Sequence, residues 1–255
     1  MKKIITALVL MGCAGNALAA PAFGRPGTAF NPEVLEPGSV AWEQGLPDVT
    51  RNKADGITET LYQYDTHLRF GITPHLELQL LGNPYNQYRV SGHGNADSVD
   101  GPGNTGVAVK VNLPTQSELT HVGVLASLDF NTGKPAFRDY DSDGKEARSA
   151  YLGVTVSRDL DADQAITGYL DVTHTHDDDV YTFSPSWSTA LSDDWGAYLE
   201  YKVSFGDIED NDQLAGGGFT WLVTDRLQLD IYSDFGLTSD STDYESGFGF
   251  AYLVR

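Results

Sequence analysis

The chain has 255 residues, 16 basic and 36 acidic side chains, and a formal net charge of -20. So acidic a chain is excluded as a nucleic-acid binder, because it offers little to neutralise phosphates. With 40% hydrophobic and 11% aromatic residues, it is also too apolar for an acidic disordered chain. A single all-β domain of this length is ordinary.

Residues 1–19 read as a signal peptide. Lys2 and Lys3 give the basic start, Ile4 to Cys13 the apolar core, and Ala17-Leu18-Ala19 the small-residue cleavage site before Ala20. A rival reading is a lipoprotein box at Leu10-Met11-Gly12-Cys13. Cys13 is the single cysteine, so the mature chain has no thiol and no disulfide. No later apolar run is long enough for a spanning helix. An exported chain then belongs either to the periplasm and beyond or, as a barrel, to the outer membrane.

Residues 20–38 are rich in Pro and Gly and read as an irregular periplasmic lead-in. Residues 39–255 carry the strands. Val40–Leu46 is the first candidate. Over Ile57–Ile72, Thr60, Tyr62, Leu68 and Phe70 alternate with Glu59, Gln63, Asp65, His67 and Arg69. After a turn at Thr73-Pro74-His75, Leu76, Leu78 and Leu80 alternate with Glu77 and Gln79, and Gly82 to Asn104 reads as a long polar loop. Val107 to Leu113 places Lys110 opposite its valines, and Val122 to Phe130 places Asp129 opposite its apolar face. Asn131 to Glu146 reads as a second long loop. Further alternating runs carry Asp171, then Glu200 and Lys202, then Asp230 and Asp234 on their polar faces.

Period-two alternation puts each set on one face of a strand. Short turns and long loops alternate along about twelve such runs. That is the pattern of a transmembrane antiparallel β-barrel with short periplasmic turns and longer extracellular loops. Tyr62, Tyr181, Trp187, Trp195, Trp221 and Tyr252 fall near strand ends, as interfacial girdles do. A soluble β-sandwich also alternates, but it would not separate its connections into short and long sets.

Four stretches resemble a known family of outer-membrane barrels, described as "putative MetA-pathway of phenol degradation". They are Leu35-Glu-Pro-Gly-Ser-Val-Ala-Trp-Glu43, the strand-turn-strand Leu68-Arg-Phe-Gly-Ile-Thr-Pro-His-Leu-Glu-Leu78, Val122 to Gly133, and the last hairpin around Asp225-Arg-Leu-Gln-Leu-Asp230 and Gly247-Phe-Gly-Phe. Two departures stand out. Asn104-Thr105-Gly106-Val107 replaces the family's Gly-x-Gly-Asp, and the chain ends in Val254-Arg255 where such barrels usually end in an aromatic residue. The resemblance implies an outer-membrane channel or transporter, with aromatic compounds as one class of solute.

The polar strand faces supply the candidate site. Glu59, Asp65, His67, Arg69, Glu77, Lys110, Asp129, Asp171, Glu200, Lys202, Asp230 and Asp234 should point into the barrel. There they would line a narrow aqueous pore with an acidic excess. The alternative is a paired network that closes the lumen, because buried charges must pair. Asp139-Tyr-Asp141-Ser-Asp143-Gly144 has the alternating carboxylates of a calcium loop, but Ala150 stands where the bidentate Glu belongs. A solvated acidic loop is the plainer reading there. The same holds for His174-Thr-His176-Asp-Asp-Asp179, where one short loop would have to close a metal site alone.

No Gly-x-Ser-x-Gly, His-Glu-x-x-His or P-loop is present, so no enzyme is read here. The expectation is passive uptake of a small-molecule solute across the outer membrane without a cofactor. The alternatives are a closed structural or ligand-binding barrel and, further off, a barrel hydrolase. The partners expected are outer-membrane lipid, lipopolysaccharide and the barrel assembly machinery.

Overall fold

The computed structural model describes residues 22–140, 144–176, 178–206 and 211–254. Within them, fifteen strands form one antiparallel sheet. In chain order they are β1 Val40–Ala54, β2 Ile57–Gln63, β3 Thr66–Thr73, β4 Leu76–Gly82, β5 Asn86–Gly92, β6 Asn95–Gly101, β7 Thr105–Leu113 and β8 Thr120–Phe130. Then follow β9 Ser149–Asp159, β10 Gln164–Thr175, β11 Asp178–Ala190, β12 Trp195–Gly206, β13 Asp212–Thr224, β14 Leu227–Gly236 and β15 Tyr244–Leu253.

The sheet closes on itself. β15 returns to β1, with Ala41 opposite Leu253 and Gly45 opposite Gly249. The ring runs β1, β3, β4 and then β7 to β15, which makes a closed barrel of twelve strands. Closure leaves the ring itself without an edge strand, which is the condition for a sheet in hydrocarbon.

The two faces of the wall are inverted relative to a soluble protein. Leu199, Phe235 and Leu170 are 61%, 58% and 55% exposed on the outside, while Arg69, Lys110, Glu43 and Glu77 are buried inside. A belt of large exposed apolar side chains of this extent has no place in water. It removes the sandwich alternative. Paired aromatics mark both rims of the belt. Trp195 stacks on Trp221 at the short-turn end, with ring centroids 5.4 Å apart. Tyr181 stacks on Phe205 at the other end, 5.8 Å apart.

Two expectations about the first third of the chain need correction. β1 does not stop at Leu46 but continues to Ala54, and Gly82 to Asn104 is not a loop. Its residues form β5 and β6. β1 pairs with β3 low in the wall and with β2 above it, and β5 and β6 extend the sheet beyond β2. β2, β5, β6 and the upper part of β1 thus project past the ring. Both tips are tight: Asp55-Gly56 and His93-Gly94 each take φ near +50° and then +80°, the two positive values of a type I′ hairpin turn.

Residues 22–38 form no regular strand or helix. They do not trail outside the barrel as a lead-in. They enter the lumen and leave it again at Gly38, whose amide donates to the Gly71 carbonyl at 2.9 Å. Phe23 and Leu35 of this strap pack on Ala41 and Ala251 of the wall in a small apolar cluster.

Candidate functional site

The interior is built from the inward positions of the wall and from the strap. Arg69 on β3 is the centre of one cluster. It reaches Glu77 at 2.7 Å and Glu43 at 2.5 Å, and Lys110 lies 3.7 Å from Glu77. Two carboxylates and two cations balance here, which is what burial demands. Glu43, on β1, was not among the sequence candidates.

The strap satisfies what the cluster leaves over. Arg69 donates to the Ala22 carbonyl, Glu43 accepts from the Gly24 amide, Glu77 accepts from the Leu35 amide, and Lys110 donates to the Asn31 carbonyl. Between these anchors the strap sweeps around the inside of the wall. Arg25 forks between Asp48 on β1 and Asp230 on β14. Burial alone would lower the basicity of the Arg25 guanidinium, but the two carboxylates more than offset it and raise it. The Thr28 amide donates to Glu200 on β12. Phe30 meets Tyr169 of β10 edge to face at 5.9 Å. Glu33 then takes Asn112 and His121 from β7 and β8.

Two cavities result. One, of about 420 Å³, lies on the hairpin side of the strap and is lined by Asp65, His67, Lys202, Tyr232, Asp234 and Glu245 among others. A wider one, of about 1030 Å³, opens towards the short turns, where Asp161, Asp163, Asp193 and Asp194 rim it. Strap residues 24–27, Phe30 and Glu200 belong to both linings. The strap is therefore a partition between two polar chambers.

The wall above the strap is acidic. β12, β14, β15, β1 and the β2–β3 junction carry Glu200, Asp234, Glu245, Asp48 and Asp65 facing the smaller chamber. Lys202 pairs with Glu245 at 2.6 Å and Arg25 with Asp48. Asp65, Glu200 and Asp234 have no cation within ion-pair distance among the described residues.

Most of the sequence candidates converge on this interior. Asp65, His67, Arg69, Lys110, Glu200, Lys202 and Asp234 line the smaller chamber. Glu77 and Asp230 lie behind it, bonded to Arg69 and Arg25. Asp171 is buried on the inward face of β10. Asp129 sits higher, at the end of β8, half-buried. Glu59 is displaced from the others: it lies on β2, in the extension beyond the ring, because β1 and β2 outrun the barrel.

The acidic loops are less concentrated. Asp139 accepts from Asn104 and Ser149, while Asp141 and Asp143 lie outside the described residues. His174 pairs with Asp179 at 2.8 Å. Among the described residues no group of three or more His, Cys, Asp or Glu converges as metal ligands would.

Several solved structures share the architecture. The COG4313 outer membrane channel from Pseudomonas putida F1 superposes with a TM-score of 0.65 at 14% identity, over 89% of this chain and 100% of that one. The KdgM porin gives 0.52 at 9% identity, over 85% and 99%. The transport unit of the autotransporter AIDA-I from Escherichia coli gives 0.56 at 11% identity, over 85% and 90%. No curated protein sequence matches the chain. The family model described as "Putative MetA-pathway of phenol degradation" matches residues 23–254, so the strap and the whole barrel fall within it, and the chain belongs to that family.

Proposed function

We propose that the protein is an outer-membrane channel for the passive passage of small polar solutes, with a preference for cations. The observation that carries this reading is the pair of polar chambers that meet at the strap, with Glu200 in both linings. A barrel of this strand number has more lumen than its own side chains fill, and a narrow, acid-lined path favours cations. The fold, shared with outer-membrane channels and porins, supports the location. In that setting the short turns face the periplasm and the projecting hairpins face outwards.

The outward face at the hairpin end suits the outer leaflet. Arg51, Arg89 and Arg148 lie over the rings of Tyr244, Tyr62 and Phe130. These cations above an aromatic rim would meet lipopolysaccharide phosphates. Within the lumen, Tyr151, Tyr169, Tyr198 and Tyr232 offer ring faces among the charges, so an aromatic solute bearing a polar group fits the same path.

The strap also favours the second reading, a barrel held closed. Conductance of the refolded full chain in a planar lipid bilayer separates the two. Small discrete steps with a cation-selective reversal potential are expected. A folded barrel that passes no current would overturn the channel reading and leave the closed barrel.

A further inference from the structure

We infer that the chamber on the hairpin side of the strap is a binding site for a small organic cation, an alkylamine or diamine, held by Asp234, Asp65 and Glu200. This rests on the channel reading and names the solute class that the path is shaped for.

Three independent features converge on it. The first is charge that the protein leaves over. Of the six carboxylates lining the chamber, Glu43, Glu245 and Asp48 are taken by Arg69, Lys202 and Arg25. Among the described residues, the Asp65 side chain is held by the Asn83 amide alone. Glu200 accepts from the Thr28 amide at 3.0 Å and the Ser184 hydroxyl at 3.5 Å, both on the same oxygen. Neutral donors position these two carboxylates without cancelling their charge.

The second is an orphaned acceptor. Asp234 is 4% exposed, it lines the chamber, and its Oδ1 has no hydrogen-bond partner among the described residues. A buried carboxylate oxygen without a donor is expensive to keep. An ammonium supplies both the charge and up to three donors.

The third is that the wall beside Asp234 carries no side chain. β13 places Gly216 and Gly218 on the same inward face. A Cβ at Gly216 would run first into the Ser233 carbonyl of β14 and then into Oδ1 of Asp234, and one at Gly218 would come within 2.5 Å of the Ile231 carbonyl, 2.8 Å of Tyr198 and 2.9 Å of Tyr232. Any other residue at these positions would press on the β14 backbone as well as on the Asp234 carboxylate and the two rings. With glycine there, Tyr232 and Phe30 line the chamber with Asp234, and aromatic faces beside carboxylates are what an organic cation selects. The volume, about 420 Å³, lies within the usual range of small-molecule sites, roughly 300–1,000 Å³. The paired cluster around Arg69 has no such surplus, so the site is confined to the arc from β12 to the β2–β3 junction.

The test uses the refolded full chain in detergent and isothermal titration with 1,4-diaminobutane, against 1,4-butanediol as its uncharged counterpart. Saturable binding of the diamine and none of the diol is expected. Asp234→Asn and Asp65→Asn should each weaken binding about tenfold, the value of one charge-assisted hydrogen bond. Asp97→Asn, exposed on β6 beyond the ring, should leave it unchanged. Heat-modifiable gel migration confirms that each variant is a closed barrel. Equal binding of diol and diamine, or unchanged affinity in the Asp234→Asn, Asp65→Asn double variant, would overturn the site. Bilayer recordings on the same preparations keep the two readings apart. Diamine binding in a barrel that passes no current upholds the site and removes the channel. Current without diamine binding upholds the channel and removes the site.

Discussion

Arg25 and Asp230 lie 205 residues apart in the chain and 3.2 Å apart in the lumen. The Asp230 side chain is fully buried, so the strap's one arginine is its counter-charge and ties the first residues of the fold to the final hairpin. Replacing Arg25 by Gln leaves Asp230 and Asp48 without a cation. Uncompensated buried charge of this kind costs about 3–5 kcal/mol. The variant should therefore unfold at lower urea concentration and, where folded, conduct more because the strap is loosened. Adding Asp230→Asn to Arg25→Gln should recover part of the lost stability but leave the conductance raised. A folded Arg25→Gln barrel with unchanged conductance would mean that the strap is not held by this pair.

Deleting residues 22–30 tests the partition itself. The deletion merges the two chambers, whose linings share residues 24–27 and Phe30. The barrel should still close, since the ladder from β1 to β15 does not involve the strap. Larger single-channel steps with a weaker dependence on solute size are expected in bilayers. Steps of wild-type size would place the narrowest point elsewhere in the lumen.

The wall was legible in the sequence because lipid and lumen impose opposite chemistry on alternate residues. Leu170 and Asp171, or Leu199 and Glu200, declare their faces by type alone. The projecting hairpins were not legible by that rule, because both their faces meet water and Asn86 to Gly101 loses its period. Asp55-Gly56 was the available signal, a dipeptide that favours type I′ turns. The strap was hidden for a different reason. It is held through the backbone amides of Gly24, Thr28 and Leu35, and backbone donors leave no trace in residue type. Arg25, a lone cation in a Pro- and Gly-rich segment, was the one side chain that hinted at buried acids waiting for it. Glu59 lies apart for another reason: β1 and β2 outrun the barrel, and strand length carries it past the ring.

The Arg69 cluster separates charge from shape. Arg69→Lys keeps one positive charge but cannot reach Glu43, Glu77 and the Ala22 carbonyl together, because an ammonium lacks the planar fork. Arg69→Met keeps neither and leaves two buried carboxylates facing Lys110 alone. We expect the methionine variant to lose about 3–5 kcal/mol and the lysine variant clearly less. Urea titration of the refolded barrels, followed by tryptophan fluorescence, orders them. Equal losses would mean that packing and not charge holds this corner.

Leu170 and Asp171 are neighbours in β10 that face opposite worlds, the first 55% exposed in the apolar belt and the second buried inside. Arginine at position 170 would place a charge near the middle of the hydrocarbon, at a cost of roughly 2–4 kcal/mol for a barrel strand. The same change at Tyr181, near the rim, should cost only about 0–1 kcal/mol. Asp171→Asn keeps the shape and an acceptor, so it should alter cation preference more than stability. Unfolding in lipid vesicles measures the first two and reversal potentials the third. If Leu170→Arg costs no more than Tyr181→Arg, the belt does not face lipid, and the assignment of inside and outside along β10 fails with it.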